Sequence, residues 1–193
     1  MKLISKVLIT IGLLCIVIGS FLLWERNNPT RLAFANYTST NYKNSKVIPV
    51  SINIKSINIH LPIVQSTIEN NEWSTTKEGI SYLISSPIPG KMGNSVLYGH
   101  NWNNLLGNLK HVKPGDKIEI EYNNGTKSVF SVNTMGVVTP DQTHVLLPSN
   151  DVRITLYTCT GFLDSKRLVV TALLENTIST NEQLAVGGLS YEK

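Results

Sequence analysis

Lys117-Ile-Glu-Ile-Glu-Tyr122, Asn123-Asn124-Gly125-Thr126 and Lys127-Ser-Val-Phe-Ser-Val132 form the stretch that decides the fold class. Ile118 and Ile120 alternate with charged residues, and Phe130 and Val132 share a face in the second arm. Apolar residues at every second position line one face of a half-buried strand. Asn-Gly between two such runs predicts a hairpin closed by a type I′ turn, whose two central residues take positive φ. Outward from this hairpin the period of two persists. Val50, Ile52 and Ile54 alternate with polar residues, as do Ile57, Ile59, Leu61 and Ile63. Ile80 to Ile84, Ser95 to His100, Met135 to Val138, Arg153 to Cys159 and Arg167 to Leu174 bring the expectation to about eight strands. Turn signals such as Pro87-Ile-Pro89-Gly90 and Gly93-Asn94 separate them. One short helix is expected from Asn103 to Lys110, ended by Pro114-Gly115. Many short strands with regular turns predict an all-β barrel or sandwich.

The N-terminus reads differently. From Val7 to Trp24 there are 18 residues without a charge. As a helix they span about 27 Å, close to the thickness of a bilayer core. Lys2 and Lys6 precede the run and favour an N-inside, C-outside orientation, with Trp24 at the far interface. A cleaved signal peptide is the alternative, with Ala33-Phe34-Ala35 as its processing site. The apolar run is longer than a signal core, so a retained anchor is expected. The predicted organisation is an anchor over 1–24, a polar stalk over 25–46, a barrel over 47–175 and a polar tail over 176–193. The stalk has an alternative in which Leu32, Phe34 and Tyr37 pack on the domain. Without Lys2 and Lys6, fifteen Lys and Arg face thirteen Asp and Glu, a net +2 that argues against a nucleic-acid partner.

The chain has two cysteines, Cys15 in the apolar run and Cys159 at the end of a strand. An exported domain lies where cysteines usually pair, and outside the apolar run the sequence offers no second cysteine to bridge with Cys159. It is either a small buried hydrophobe or a reactive thiol. Residues 160–166 link its strand to the one that begins at Arg167. If the two strands pair, Arg167 lies beside Cys159, about 5 Å away. A guanidinium there favours the ionised sulfur and can donate to an oxyanion, although most arginines at strand starts are plain surface residues. Four histidines compete as the base. His60 is on a strand's polar face, His111 follows the short helix and His144 lies in a loop. His100 follows Ser95-Val-Leu-Tyr-Gly99 and opens a loop, a placement that suits proton transfer. A half-buried histidine bonded to backbone is the competing reading.

Thr155-Leu156-Tyr157-Thr158-Cys159 resembles the TLxTC signature of the sortases, and Arg167 follows after seven residues. Tyr98-Gly99-His100 is similar to that family's histidine segment, and residues 87–96 resemble the approach to it. Pro114-Gly115-Asp116 before a strand is also sortase-like. The likeness covers roughly Val47 to Leu174. It implies an eight-stranded sortase-like β-barrel and a cysteine transpeptidase acting on surface proteins with an LPxTG-like sorting signal. Cys159 would form a thioacyl enzyme, His100 would transfer protons and Arg167 would hold the carbonyl and its oxyanion. A cell-wall precursor or protein amine would resolve the intermediate. Release by water, as in a cysteine protease, and a non-catalytic peptide-binding barrel are the alternatives. Some sortases bind calcium. Between Gly79 and Gly115 this chain has no Asp or Glu, so no calcium or other metal site and no cofactor are expected.

Overall fold

A computed structural model describes residues 2–26, 32–34, 46–69 and 72–178. The expected stalk and tail therefore fall largely outside the described residues. The N-terminal helix α1 runs Lys2–Arg26. Its stretch Ile4–Glu25 has a mean hydropathy of 2.6 and makes it long and apolar enough to cross a membrane.

The strands are β1 (Pro49–Ile54), β2 (Ile59–Ser66), β3 (Ile68–Glu69), β4 (Glu72–Trp73), β5 (Ile80–Leu83), β6 (Gly93–Tyr98), β7 (Lys117–Tyr122), β8 (Lys127–Val138), β9 (Val152–Thr160) and β10 (Lys166–Ile178). Eight of them close into a barrel in the order β1-β2-β5-β6-β9-β10-β8-β7. Most neighbours are antiparallel, while β2–β5 and β6–β9 are parallel. Closure leaves this eight-stranded sheet without an open edge. The short β3–β4 ribbon stands apart from the barrel.

Alternation sends one set of side chains inward. Ile52, Ile54, Ile118, Ile120, Phe130 and Leu156 are fully buried in the interior. Each such side chain contributes about 1.5–3 kcal/mol by leaving water. The β7–β8 hairpin forms as expected, but its turn differs. Asn124 does not take a positive φ, whereas Gly125 does, at 78°. Gly125 N donates to the Tyr122 carbonyl (2.9 Å) and Tyr122 N to the Thr126 carbonyl (3.0 Å). This is the pattern of a type I turn followed by a left-handed glycine, so one glycine suffices. The runs 127–132 and 135–138 are one strand whose register shifts opposite Thr171 and Ala172. The expected helix at 103–110 is only a 3-10 turn, Gly107–His111. Asn103, Asn104, Gly107 and Asn108 are poor helix formers, and the segment is tied down by turn bonds instead.

The wall formed by β6, β9 and β10 is buried on both faces. Inside it carries Leu97, Leu156 and Leu168. Outside, Val96, Tyr98, Tyr157 and Val169 form a second cluster with Leu32, Phe34, Trp73 and Leu146. Tyr98 and Tyr157 stack at 5.3 Å, and Trp73 and Phe34 meet them edge-on at 5.1 and 5.0 Å. A sheet covered on both faces loses the polar alternation of a half-solvated one. That is why β9 reads as the apolar run Ile154-Thr-Leu-Tyr-Thr-Cys159.

Candidate active site

Cys159 is the penultimate residue of β9. On one side, β10 pairs Arg167 directly with Cys159. Directly opposed residues in an antiparallel pair have Cα atoms about 4.5–5.5 Å apart and share a face. On the other side, β6 runs parallel to β9 with Tyr98 opposite Tyr157. The chain keeps that course beyond the strand, since Gly99 N donates to the Tyr157 carbonyl (3.3 Å) and the Thr158 hydroxyl to the Gly99 carbonyl (2.7 Å). Two places on from Tyr98, His100 comes level with Cys159. Parity turns all three outward, onto the face of Tyr98, Tyr157 and Val169. One row across three adjacent chain segments thus reads His100, Cys159, Arg167.

Each of the three is nearly closed off from solvent, at 6%, 5% and 3% exposure respectively. Burial is the main cause that lowers the His100 pKa below its ordinary value of 6.5. The Lys77 charge adds to this effect and the Asp164 carboxylate opposes it. His100 is therefore neutral at neutral pH. Arg167 is held by main-chain oxygens. Its Nη1 donates to the carbonyls of Asp164 and Lys166 (3.0 Å each) and its Nη2 to the carbonyl of Ala33 (3.1 Å). Its Nε is buried without a hydrogen-bond partner among the described residues. These carbonyl acceptors are neutral and, unlike a carboxylate, do not cancel the guanidinium charge.

Two threonines of β9, Thr158 and Thr155, have structural work. Thr158 faces inward, as strand parity requires. Its hydroxyl also fixes Gly99, the residue before His100. Thr155 donates to Asn94 Oδ1 (2.7 Å), and Asn94 Nδ2 donates to the carbonyls of Val145 and Leu147 (3.1 Å each). These bonds pin the Thr143–Leu146 turn, and with it Leu146, onto the outer wall.

The other candidates are not brought to this row. His60 sits opposite Asn53 on the β1–β2 pair, His111 ends the 3-10 turn after Leu106, and His144 lies in the Thr143–Leu146 turn; all three are exposed. Cys15 is on α1 and exposed. Among the described residues no cluster of His, Cys, Asp and Glu could hold a metal ion. Two features near the row were not expected from sequence, and a third follows the packed alternative to the stalk. Trp102 stacks on the His100 ring with centroids 4.5 Å apart. Asn101 Nδ2 donates to Asp164 Oδ1 (2.9 Å). Leu32 and Phe34, both buried, lie on the wall with Ala33 against Arg167.

Comparison with known proteins decides the family. Residues 52–175 match the family model described as the sortase domain. The chain belongs to the sortase family. It is 35% identical to Sortase A of Bacillus anthracis over 130 residues, which is 65% of this chain and 59% of that protein's length. Among solved structures, Sortase A from Corynebacterium diphtheriae aligns with a TM-score of 0.60 at 29% identity, covering 86% of this chain and 87% of that one. Listeria monocytogenes Sortase A aligns with a TM-score of 0.58 at 25% identity, covering 77% of this chain and all of that one. The eight-stranded barrel of this sortase carries the His100–Cys159–Arg167 row on its outer wall.

Proposed function

We propose that this sortase is a cysteine transpeptidase, and that the row on the outer wall is its catalytic centre. Cys159 Sγ attacks the carbonyl carbon of the threonine in an LPxTG-like sorting signal, and neutral His100 takes the thiol proton. The tetrahedral oxyanion lies within reach of Arg167, whose guanidinium donates to main-chain carbonyls. As the C–N bond breaks, the imidazolium returns its proton to the leaving amine. The product is a thioester between Cys159 and the substrate's new carboxyl end. An incoming amine, from a cell-wall precursor or another protein, then attacks the thioester. His100 takes the excess proton of that amine and passes it to the departing thiolate, which restores Cys159. Cys159 gives its proton, through His100, to the leaving amine and regains one from the incoming amine, so the two half-reactions balance.

The observation that carries this reading is the Cys159–Arg167 cross-strand pair with His100 level on the opposite side. The contact from Arg167 Nη2 to the Ala33 carbonyl supports the clamp role, since a substrate main-chain carbonyl would receive the same bond. The reading also places α1 in the membrane with the barrel outside, following Lys2 and Lys6. The test is product mass. Full-length protein in detergent, given a sorting-signal peptide and an amine such as triglycine, yields the amide of the truncated peptide. Without the amine, slow hydrolysis to the free acid is expected. Free acid at the same rate in both cases would assign a protease instead, and no cleavage at all would leave a binding barrel.

A further inference from the structure

We propose that Trp102 and Asp164 are positioning residues of this site. Trp102 fixes the plane of the His100 ring, and Asp164 ties the His100 loop to Arg167 across Cys159. The inference rests on His100 and Arg167 acting as described above.

β6 ends at Tyr98, so no sheet ladder holds His100. A proton-transfer group displaced by about 1 Å loses on the order of a hundredfold in rate. Something else must fix the ring, and the structure offers two devices. The first is Trp102, whose ring lies 4.5 Å from the imidazole and within 11° of parallel. Trp102 is itself anchored. Its side chain packs against the main core, and its carbonyl accepts from Leu105 N and Gly107 N (2.9 Å each). The His100 carbonyl accepts from Leu106 N (3.1 Å), which closes residues 100–107 into one unit. That closure needs Gly107, because a Cβ there would lie 2.7 Å from the Trp102 carbonyl oxygen and 2.9 Å from that of Asn101. An indole face accommodates both neutral and protonated imidazole, so the stack can persist through proton transfer.

The second device joins two loops. Asn101 Nδ2 donates to Asp164 Oδ1 (2.9 Å), while the Asp164 main-chain carbonyl accepts from Arg167 Nη1 (3.0 Å). One residue therefore holds the neighbour of His100 with its side chain and Arg167 with its backbone. The local backbone is unusual for this purpose. Leu163 and Asp164 take φ values of 49° and 59°. A branched leucine rarely adopts this left-handed region, and such strain persists only where surrounding contacts impose it. The Asp164 carboxylate also interacts electrostatically with His100.

The test compares Trp102→Phe, Trp102→Leu, Asp164→Asn and Asp164→Ala in the full chain in detergent. Four quantities are read: kcat and KM on an LPxTG-like peptide with triglycine, the rate of Cys159 alkylation by iodoacetamide, and the melting temperature. Trp102→Leu should lose at least about tenfold in kcat with KM and alkylation within about threefold, because the ring is mis-set while the thiol is untouched. Trp102→Phe keeps an aromatic face and should stay within about threefold of wild type. Asp164→Ala should lose about tenfold in kcat, and Asp164→Asn, which keeps the Oδ1 acceptor, should recover most of it. The proposal is overturned if Trp102→Leu retains kcat, if Phe fails to rescue, or if Asp164→Asn is as impaired as Ala. A plain structural role would lower the melting temperature and the active fraction without this rescue pattern. Should Trp102→Leu fail to fold, the Asp164 pair decides. His100→Ala separates the two levels: activity in that variant sinks the catalytic assignment, whereas its inactivity beside an active Trp102→Leu sinks only the positioning role.

Discussion

Replacing Arg167 with lysine keeps the positive charge and removes the planar fork, so it isolates what the geometry contributes. In the folded protein the guanidinium donates to three carbonyls, those of Ala33, Asp164 and Lys166, through two nitrogens on one rigid plane. An ammonium is a single point and cannot occupy both nitrogen positions. Each buried acceptor left without a donor costs about 1–3 kcal/mol, which water entering from the β9–β10 loop reduces. The stability loss should therefore be moderate, about 1–3 kcal/mol, and visible as a lower melting temperature. The catalytic loss should be larger. Removing one well-aimed oxyanion donor costs about 2.7–4 kcal/mol, or 10²–10³ in kcat. The assay is single-turnover cleavage of a fluorogenic sorting-signal peptide at a temperature where both proteins remain folded. A kcat within about threefold of wild type would refute the reasoning, because a point charge would then serve as well as the fork.

Other outcomes are specific. Neutral His100 must accept the thiol proton, and burial with Lys77 holds its pKa below 6.5, so the acid limb of kcat/KM should have its midpoint below that value. Lys77→Gln removes the second cause and should move that limb to higher pH; an unmoved limb would take His100 out of the profile. The same shift links to stability: protons bind the unfolded imidazole first, so the His100 contribution is present above about pH 6.5 and declines as pH falls below it, as urea denaturation across pH would show. Phe34→Ala deletes a ring that is 3% exposed and seated edge-on against Tyr157, at a cost of about 3–5 kcal/mol if the surroundings do not relax. Alkylation of Cys159 should become faster as residues 32–34 loosen, and an unchanged rate would show that they do not cover the thiol. Chelator should leave the cleavage rate unaltered, and a clear loss would reveal a bound cation.

The barrel was legible because alternation survives in β1, β2, β7 and β8, where one face is inside and the other wet. The Cys159–Arg167 pair was legible for a similar reason. A seven-residue link between two strand-like runs implies a hairpin, and a hairpin fixes its neighbours. The sequence reading failed where distant segments decide. Residues 127–138 read as two strands because the register shift opposite Thr171 and Ala172 breaks the period, although the ladder continues. The β3–β4 ribbon is too short for any period to show, yet it delivers Trp73 to the outer wall. Nothing local marks Ala33 as a partner of Arg167, a residue 134 positions away. Trp102 is a lone aromatic in a loop, and only the folded ring-to-ring distance reveals its place beside His100.

The most direct measurement is the intact mass of the full-length protein after incubation with sorting-signal peptides in the absence of amine, followed by fragment mapping. The expected result is a mass increase equal to the acyl portion of the cleaved peptide, mapped to Cys159 and reversed by hydroxylamine. Peptide cleavage without any adduct, or an adduct that maps elsewhere and persists in Cys159→Ala, would contradict an attack by this sulfur.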